Sequence, residues 1–536
     1  MSSKKKTEQY RPDDKAGPSF PTLAVLLFCL LAISAFLFGF KQITDADTLW
    51  HLKSGQLIYE KGPPHEDTFS FRTAGREWID AQWLFQLIIY LVYRLAGFAG
   101  LSVFTGVVIA LAWLLLFYAG WDERAGPVSW ALLMLSLWSS SERFNLRPEI
   151  LSFVMIAVYL AILERDRAKP TRAVFVLIIF QIFWANIEGI WPIGLVIIGT
   201  YWIEAIIVRH VSKPWLDRPA AGSPARLMIL LMLATAVCFA TPYFYKGFFF
   251  PLTLFRESAL AHYYKDAIIE FLPTFTEGDI MFLRMPFLIL IIISAAGFIL
   301  NPRKLRPAHL VLWTAFLYLS LSANRNIGLF SISAAFFASY NFSGFLARHA
   351  HKTDSGRIEF FRWVFLATGL GLAVFYCVAL PTNKIYKWDM TQRIFGPGFP
   401  ARYELAKAAD FLKMAGWKGK IFNDEVSGGY LIWIGAPDWK VYVDGRLELY
   451  GPRLIKEAFE RSNDYFLFTQ EDLRWGFDAA IFAHARSRDL GTLTLVNKLY
   501  VDPAWALVYL DNAAAVYLKD TPSQHGLVTK YRIKLK

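Results

Sequence analysis

The hydrophobic pattern begins with an unbroken apolar run, Pro21 to Phe40, which ends on the polar stretch Ile43-Thr44-Asp45-Ala46-Asp47-Thr48-Leu49-Trp50-His51. As a helix, about twenty residues rise about 30 Å, the thickness of a hydrocarbon core. Further apolar runs recur near 83–98, 100–120, 128–141, 149–163, 173–186, 188–208, 227–243, 284–300, 310–323, 327–346 and 363–380. Basic loops at 165–172, 209–226, 303–306 and 348–362, together with the N-terminus, belong on the cytoplasmic side by the positive-inside rule. The loops 41–82 and 244–283 carry more acids than bases and belong outside. From residue 164 onward this alternation is self-consistent and leaves the C-terminal segment outside. Upstream it is not: four apolar runs lie between an outer loop and an inner one, where an odd number of crossings is needed. The short run Pro127 to Ser141, followed by the polar Glu142 to Glu149, is expected to re-enter at half depth, sheltered by protein.

From Pro381 the pattern changes. A helix is predicted over Arg402 to Lys413, strands over 420–423, 440–443 and 477–482, a strand-like run over 505–517, and helical stretches near 454–461 and 490–499. The predicted fold is an α-helical polytopic membrane protein of about 11–13 transmembrane helices with a C-terminal soluble α/β domain. Its parts are a cytoplasmic tail (1–20), a transmembrane domain (21–380) with outer loops 41–82 and 244–283, and an extracytoplasmic domain (381–536).

Composition agrees. The 536 residues are 55% hydrophobic and only 19% charged, with a mean hydropathy of +0.35, more apolar than soluble domains are. The formal charge of +12 does not point to nucleic acid, because the Lys and Arg are scattered among short loops where membrane orientation explains them. Lys4, Lys5, Lys6, Arg11 and Lys15 ahead of Pro21 read as the flank of a retained signal anchor. Cys29, Cys238 and Cys377 sit in apolar runs and are expected to be small core residues.

In extended chain Asp45 and Asp47 share a side, so both carboxylates can face one cation or one hydroxyl. If a helix starts at Asp47, that residue is also an N-cap and His51 lies one turn on. The segment continues through Gly62-Pro63-Pro64-His65-Glu66-Asp67-Thr68-Phe69-Ser70-Phe71 to Trp78-Ile79-Asp80-Ala81-Gln82-Trp83. With Arg147-Pro148-Glu149, Trp184-Ala185-Asn186-Ile187-Glu188-Gly189, Pro242-Tyr243, Ile269-Glu270-Phe271, Arg325-Asn326, Gly428-Gly429-Tyr430-Leu431 and Asp444-Gly445-Arg446 with Tyr450, it resembles the GT-C superfamily of polytopic membrane glycosyltransferases. The bacterial relatives of protein O-mannosyltransferases and the lipid A aminoarabinose transferases belong to that group. Glu188 departs from the pattern, standing where the family has His. An imidazole's role does not carry over, although a carboxylate can serve as ligand or base.

The resemblance implies a bacterial inner-membrane (plasma-membrane) protein, a GT-C-like fold, an acidic motif in the first outer loop and a polyprenyl-phosphate sugar as donor. The acceptor is left open among lipid, glycan and protein; the other partners are membrane lipids, and nucleic acid is not one. By the topology above, Asp47, Arg147, Glu149, Glu188, Glu270 and Arg325 fall at outer ends of spans, where ionisable groups face a cavity or a partner. Glycosyl transfer needs a base for the acceptor proton, a role for Asp47 or Asp45, with Glu188 as a further catalytic residue. It also needs cations on the departing phosphate, where Arg325 and Arg147 fit. His51, Glu149 and Glu270 are supporting residues. Mg²⁺ or Mn²⁺ held by Asp45 and Asp47, with His51, could share the load, although many enzymes that use lipid-phosphate sugars manage without metal. Arg147 and Glu149 could instead only tie helices together. Asn423-Asp424 and Asp444-Gly445-Arg446 could bind acceptor or simply make turns. A transporter or flippase for a lipid-linked or anionic solute, and a non-catalytic scaffold for envelope assembly, are the competing readings.

Overall fold

The computed structural model describes residues 22–122, 125–218, 223–260, 269–275, 281–349, 355–388, 393–400, 403–484 and 490–534. Among them, five helices are long and apolar enough to cross a membrane by length and composition: Thr22–Gly39, Trp83–Gly120, Pro192–His210, Asn324–His349 and Gly356–Ala379. Four shorter apolar helices, Arg172–Ile187, Pro224–Val237, Arg284–Leu300 and Pro307–Ser322, lie beside them.

Helix α1 (Thr22–Gly39) meets α3 (Trp83–Gly120) at a glycine pair. A Cβ on Gly39 would lie 2.7 Å from the Gly106 Cα, so both residues must be small for the backbones to approach this closely. Between them α2 (Asp47–Lys61) opens the first outer loop.

Helix α3 resolves the parity problem. At Gly97 the backbone takes φ 60° and ψ −158°, a conformation that suits glycine and breaks the helix. The segment 83–96 is about 21 Å long at helical rise, too short to span. It packs on α2, where a Cβ on Gly55 would meet the Gln86 carbonyl oxygen at 2.2 Å. Tyr93 meets Trp433 of the C-terminal domain edge-on at 5.2 Å. This stretch therefore packs with the first loop and the C-terminal domain, set apart from the helix over 98–120. Three apolar helices then lie between that first loop and residue 164, namely 98–120, α4 (Gly126–Ser140) and α5 (Glu149–Ala168), an odd number as the alternation asks. Parity no longer asks α4 to re-enter. It lies buried in the bundle, the Tyr376 hydroxyl donating to the Met134 carbonyl at 2.9 Å and a Cβ on Gly369 meeting the Trp130 ring at 2.4 Å.

The cysteines only partly match expectation. Cys238 is buried, whereas Cys29 and Cys377 lie on the outer face of the bundle, where lipid accepts a thiol as readily as a core does. At the end of the bundle away from the first outer loop, the fully buried Arg306 bridges Glu204 (2.8 Å) and Glu164 (2.9 Å), satisfying charges that would otherwise be stranded in apolar surroundings.

The chain returns to the bundle before its last domain begins. Ile385 and Tyr386 pack into the helical core, and Gln42 N and Ile43 N donate to the carbonyls of Ile394 (2.9 Å) and Gly398 (2.8 Å). The α/β domain has one mixed sheet in the order β2-β1-β3-β5-β4. Strand β1 (Gly419–Phe422) runs parallel to β2 (Trp439–Val441) and β3 (Ala479–Phe482). The predicted run 505–517 is a hairpin, β4 (Trp505–Leu510) and β5 (Ala515–Lys519), turned by Asp511, whose carboxylate accepts from Ala513 N and Ala514 N at 2.8 Å. The first outer loop extends the sheet. Ser70 forms a parallel bridge with Val441 at the β2 edge, with Val441 N donating to Phe69 O (3.1 Å) and Phe71 N to Val441 O (3.3 Å). This is how the C-terminal domain comes to sit on the Asp45-Ala46-Asp47 turn.

Candidate functional site

Asp45 Oδ1 accepts a hydrogen bond from Asp47 N at 3.0 Å, a side-chain turn that launches α2. Asp45 thus does the capping expected of Asp47. As the first helical residue, Asp47 is left with its carboxylate turned toward Arg147 (Nη2–Oδ2, 2.9 Å) and the Trp50 indole (Nε1–Oδ1, 3.2 Å). Arg147 comes from the loop after α4 and holds Asp45 through two nitrogens, at 2.6 and 3.2 Å. Its remaining nitrogen reaches Glu270 at 2.6 Å. Arg143 continues the chain, bonding Glu270 at 3.2 Å and Glu149 at 2.6 Å. Five of the residues singled out in the sequence, Asp45, Asp47, Arg147, Glu149 and Glu270, therefore form one network, and Arg143 completes it.

Electrostatics differentiates the acids. Burial raises the Asp47 carboxyl to about 6, with Arg147 pulling it down and Asp45 pushing it up. Burial would also raise Glu270, but Arg143, Arg147 and Arg325 together outweigh it and hold that group at about 2. Glu270 is thus a permanent anion, whereas Asp47 exchanges a proton near neutrality.

Glu188 lies in the turn between α6 (Leu177–Ile187) and α7 (Pro192–His210). Burial raises it to about 7 against the pull of Arg325, and the charge of Glu149 pushes it further up. It accepts from Gly189 N at 3.2 Å and faces the Glu149 and Arg325 side of the site rather than Asp47. Arg325, in the turn Asn324–Asn326, lays its guanidinium over the Phe271 ring at 5.1 Å. Among the described residues it makes no ion pair or hydrogen bond, so its donors are available. Asn186 is structural. It accepts from Trp83 Nε1 (2.8 Å) and donates to the Ala240 carbonyl (3.0 Å).

His51 is not part of the network. Its ring stacks on Trp50 at 3.7 Å with Phe85 edge-on at 5.5 Å, and its buried Nδ1 has no hydrogen-bond partner among the described residues. Burial and Arg147 hold it well below the usual histidine range, as a neutral packed ring.

The C-terminal domain roofs the site. Asp444 and Arg446 are spent on structure: Arg446 is fully buried, bonded at 2.7 Å to both Asp444 and Asp67 and stacked against Trp78 at 4.7 Å. The Tyr450 hydroxyl donates to Asp444 at 2.7 Å. Asn423 bonds the Val443 carbonyl and Tyr442 N, and Asp424 caps helix Glu425–Gly435 through Ser427 N (2.7 Å). Sequence reasoning missed Glu425, which directly follows Asn423-Asp424, and Glu448, two residues past Arg446. Burial raises them to about 8 and about 7, and the Asp47 charge adds to both shifts. The only available signal was an acid beside a strand end, which is too common to select.

The donor set around Asp45 and Asp47 does not fit a divalent ion as it stands. Both carboxylates are committed to the Arg147 guanidinium, and among the described residues no group of three or more His, Cys, Asp or Glu is disposed to hold a metal. Arg147 occupies the position a cation would take.

No protein-family model and no curated protein sequence matches the chain. Solved structures do. The chain aligns over 94% of its length with 75% of the Archaeoglobus fulgidus oligosaccharyltransferase AglB, solved with an inhibitory peptide and a dolichol-phosphate, at 12% identity and TM-score 0.57. A second structure from Archaeoglobus fulgidus, an oligosaccharyltransferase tethered to an acceptor peptide, matches 93% of the chain over 74% of its own, at 13% identity and TM-score 0.54. ArnT from Cupriavidus metallidurans, in the apo state, aligns with 92% of the chain over 98% of its own, at 12% identity and TM-score 0.51. A bundle of apolar helices, an acidic first loop and a roofing α/β domain together give this chain the fold shared by these oligosaccharyltransferase and ArnT structures.

Proposed function

We propose that the chain transfers a sugar from a polyprenyl-phosphate donor to an acceptor on the outer face of the inner membrane. The observation that carries this reading is one polar network in which Arg147 joins Asp47, a carboxylate raised to about 6, to Glu270, with Arg325 near Glu270 and free of ion pairs among the described residues. The dolichol-phosphate in the AglB complex is a lipid phosphate of the class proposed here as donor.

Asp47 takes the proton of the acceptor's nucleophilic group as that atom bonds to the anomeric carbon. The bond from that carbon to the phosphate oxygen breaks, and its electron pair leaves with the phosphate. Arg325 meets the charge developing there, with Arg143 behind it. Arg147 holds Asp45 and Asp47 in place and offsets the repulsion between the two carboxylates. Glu188, titrating near neutrality beside Arg325, can return a proton to the departing phosphate.

Reconstitution in vesicles with a polyprenyl-phosphate sugar tests this. Asp47→Asn should lower transfer by about 10²–10⁴-fold, the usual worth of a general base, while expression and the gel-filtration profile stay unchanged. Wild-type turnover in that variant, or solute flux without covalent transfer, would sink the proposal.

A further inference from the structure

We infer that Gly445, seconded by Gly429, is a positioning residue through which the C-terminal domain sets the carboxylate of Asp47. A Cβ on Gly445 would lie 2.0 Å from Asp47 Oδ1 and 3.2 Å from Trp50 Nε1. A Cβ on Gly429 would lie 2.4 Å from the Ala46 carbonyl oxygen, one residue before it. Neither glycine has a positive φ, so the backbone conformation itself would accept any L-residue. What demands glycine is the closeness of the two chains.

The contact is rigid on both sides. The loop carrying Gly445 is fixed by its neighbours, since Arg446 is fully buried between Asp444 and Asp67, and Asp67 belongs to the same outer loop as Asp47. The Ser70–Val441 bridge locks that loop to the sheet a second time. Asp47 thus has three walls: Arg147 against Oδ2, the Trp50 indole against Oδ1, and the Gly445 backbone behind Oδ1. A methyl group at position 445 has to displace something. Moving the domain would pull apart the buried Arg446 pairs, whereas turning the carboxylate gives up the Trp50 hydrogen bond and shifts one contact of Arg147, which keeps its bonds to Asp45 and Glu270. The carboxylate therefore yields. On this account the roof fixes the reach of the base, so domain docking and proton abstraction are one event.

The functional arm rests on the reading of Asp47 as base; the structural arm does not. In full-length protein reconstituted with a polyprenyl-phosphate sugar, Gly445→Ala should lower kcat by about 100-fold, the cost of a misplacement of about 1 Å, with the donor KM unchanged. Because the Trp50 hydrogen bond helps keep Asp47 ionised, its loss should also move the acid limb of the rate profile to higher pH. Gly526→Ala, in the same domain with open space around it, should behave as wild type. The second arm is a thermal-unfolding cycle. Gly445→Ala should lower the unfolding midpoint in the wild-type background and much less in an Asp47→Ala background, where the colliding carboxylate is gone. Equal drops in both backgrounds, or a Gly445→Ala enzyme with unchanged kcat and acid limb, would overturn the inference. If no preparation transfers sugar, the proposed function fails and the thermal cycle alone decides the role of Gly445.

Discussion

The rate of sugar transfer should fall on the acid side with a midpoint near pH 6. A base works only when ionised, and burial has carried Asp47 from the ordinary 3.8 to about 6. A single group titrating there is about nine-tenths ionised at pH 7 and about one-tenth at pH 5. The value of kcat/KM should therefore drop about tenfold across that interval, with a limiting slope of one. Loss of fold does not mimic this. A carboxyl whose pKa is raised in the folded state binds its proton more tightly there, so its contribution to stability is present at low pH and is lost as pH rises from about 3.8 to about 6. Glu270, held at about 2, has the opposite sign; its stabilisation disappears only as pH falls from 4.5 toward 2, below the range of interest. Glu188 and Glu448, both near 7, also titrate in the window, with Glu425 and Asp80 at its upper edge near 8, so the assay runs initial rates in vesicles from pH 5 to pH 8 on wild type, Glu188→Gln, Glu448→Gln and Asp47→Asn. The first two variants should keep the limb near 6, and the residual activity of the last should lack it. A rate flat from pH 7 to pH 5, or an unchanged limb in Asp47→Asn, refutes the assignment.

Arg325→Gln should raise the donor KM by about 10- to 100-fold, the worth of a charged hydrogen bond to phosphate; steady-state kinetics with varied donor would show it, and an unchanged KM removes Arg325 from the donor site. Arg446→Met strands Asp67 and Asp444 in a buried site and should cost about 3–5 kcal/mol, read as a lowered unfolding midpoint and faster proteolysis of the outer domain; an unshifted midpoint would mean that the buried pair contributes little. Reporters fused after Asp122 and after Asn145 should score cytoplasmic and extracytoplasmic respectively, as three crossings upstream of residue 164 require; two scores on the same side would restore the half-depth reading of 127–141.

Much of this arrangement was legible locally. Apolar runs matched to bilayer thickness marked the helices, and the DxD turn, Arg147, Glu149 and Glu270 were recognisable as charges placed where charge is expensive. Other features were illegible for identifiable reasons. The break at Gly97 looks in sequence like one more glycine in an apolar stretch, and only its positive φ shows that 83–96 turns aside from the helix that follows. Helix Glu425–Gly435 was missed because Gly428 and Gly429 argue against a helix, yet both are there because another backbone lies within van der Waals distance. His51 read as a potential ligand through its spacing from Asp47, and packing between Trp50 and Phe85 took it out of the site.

The sequence by itself determined that the chain is a bundle of apolar helices with a C-terminal α/β domain, because hydropathy and strand periodicity are local properties that neighbours along the chain already express. It also determined which charges had to find partners. Only the tertiary structure decided which partner each one found: Arg147 with Asp45, Asp47 and Glu270, and Arg446 with Asp67 nearly four hundred residues away (379 positions). Ion pairing depends on distances of about 3 Å between groups remote in sequence, and no periodicity encodes those. The same holds for the roof over Asp47, where a glycine matters only for what stands opposite it.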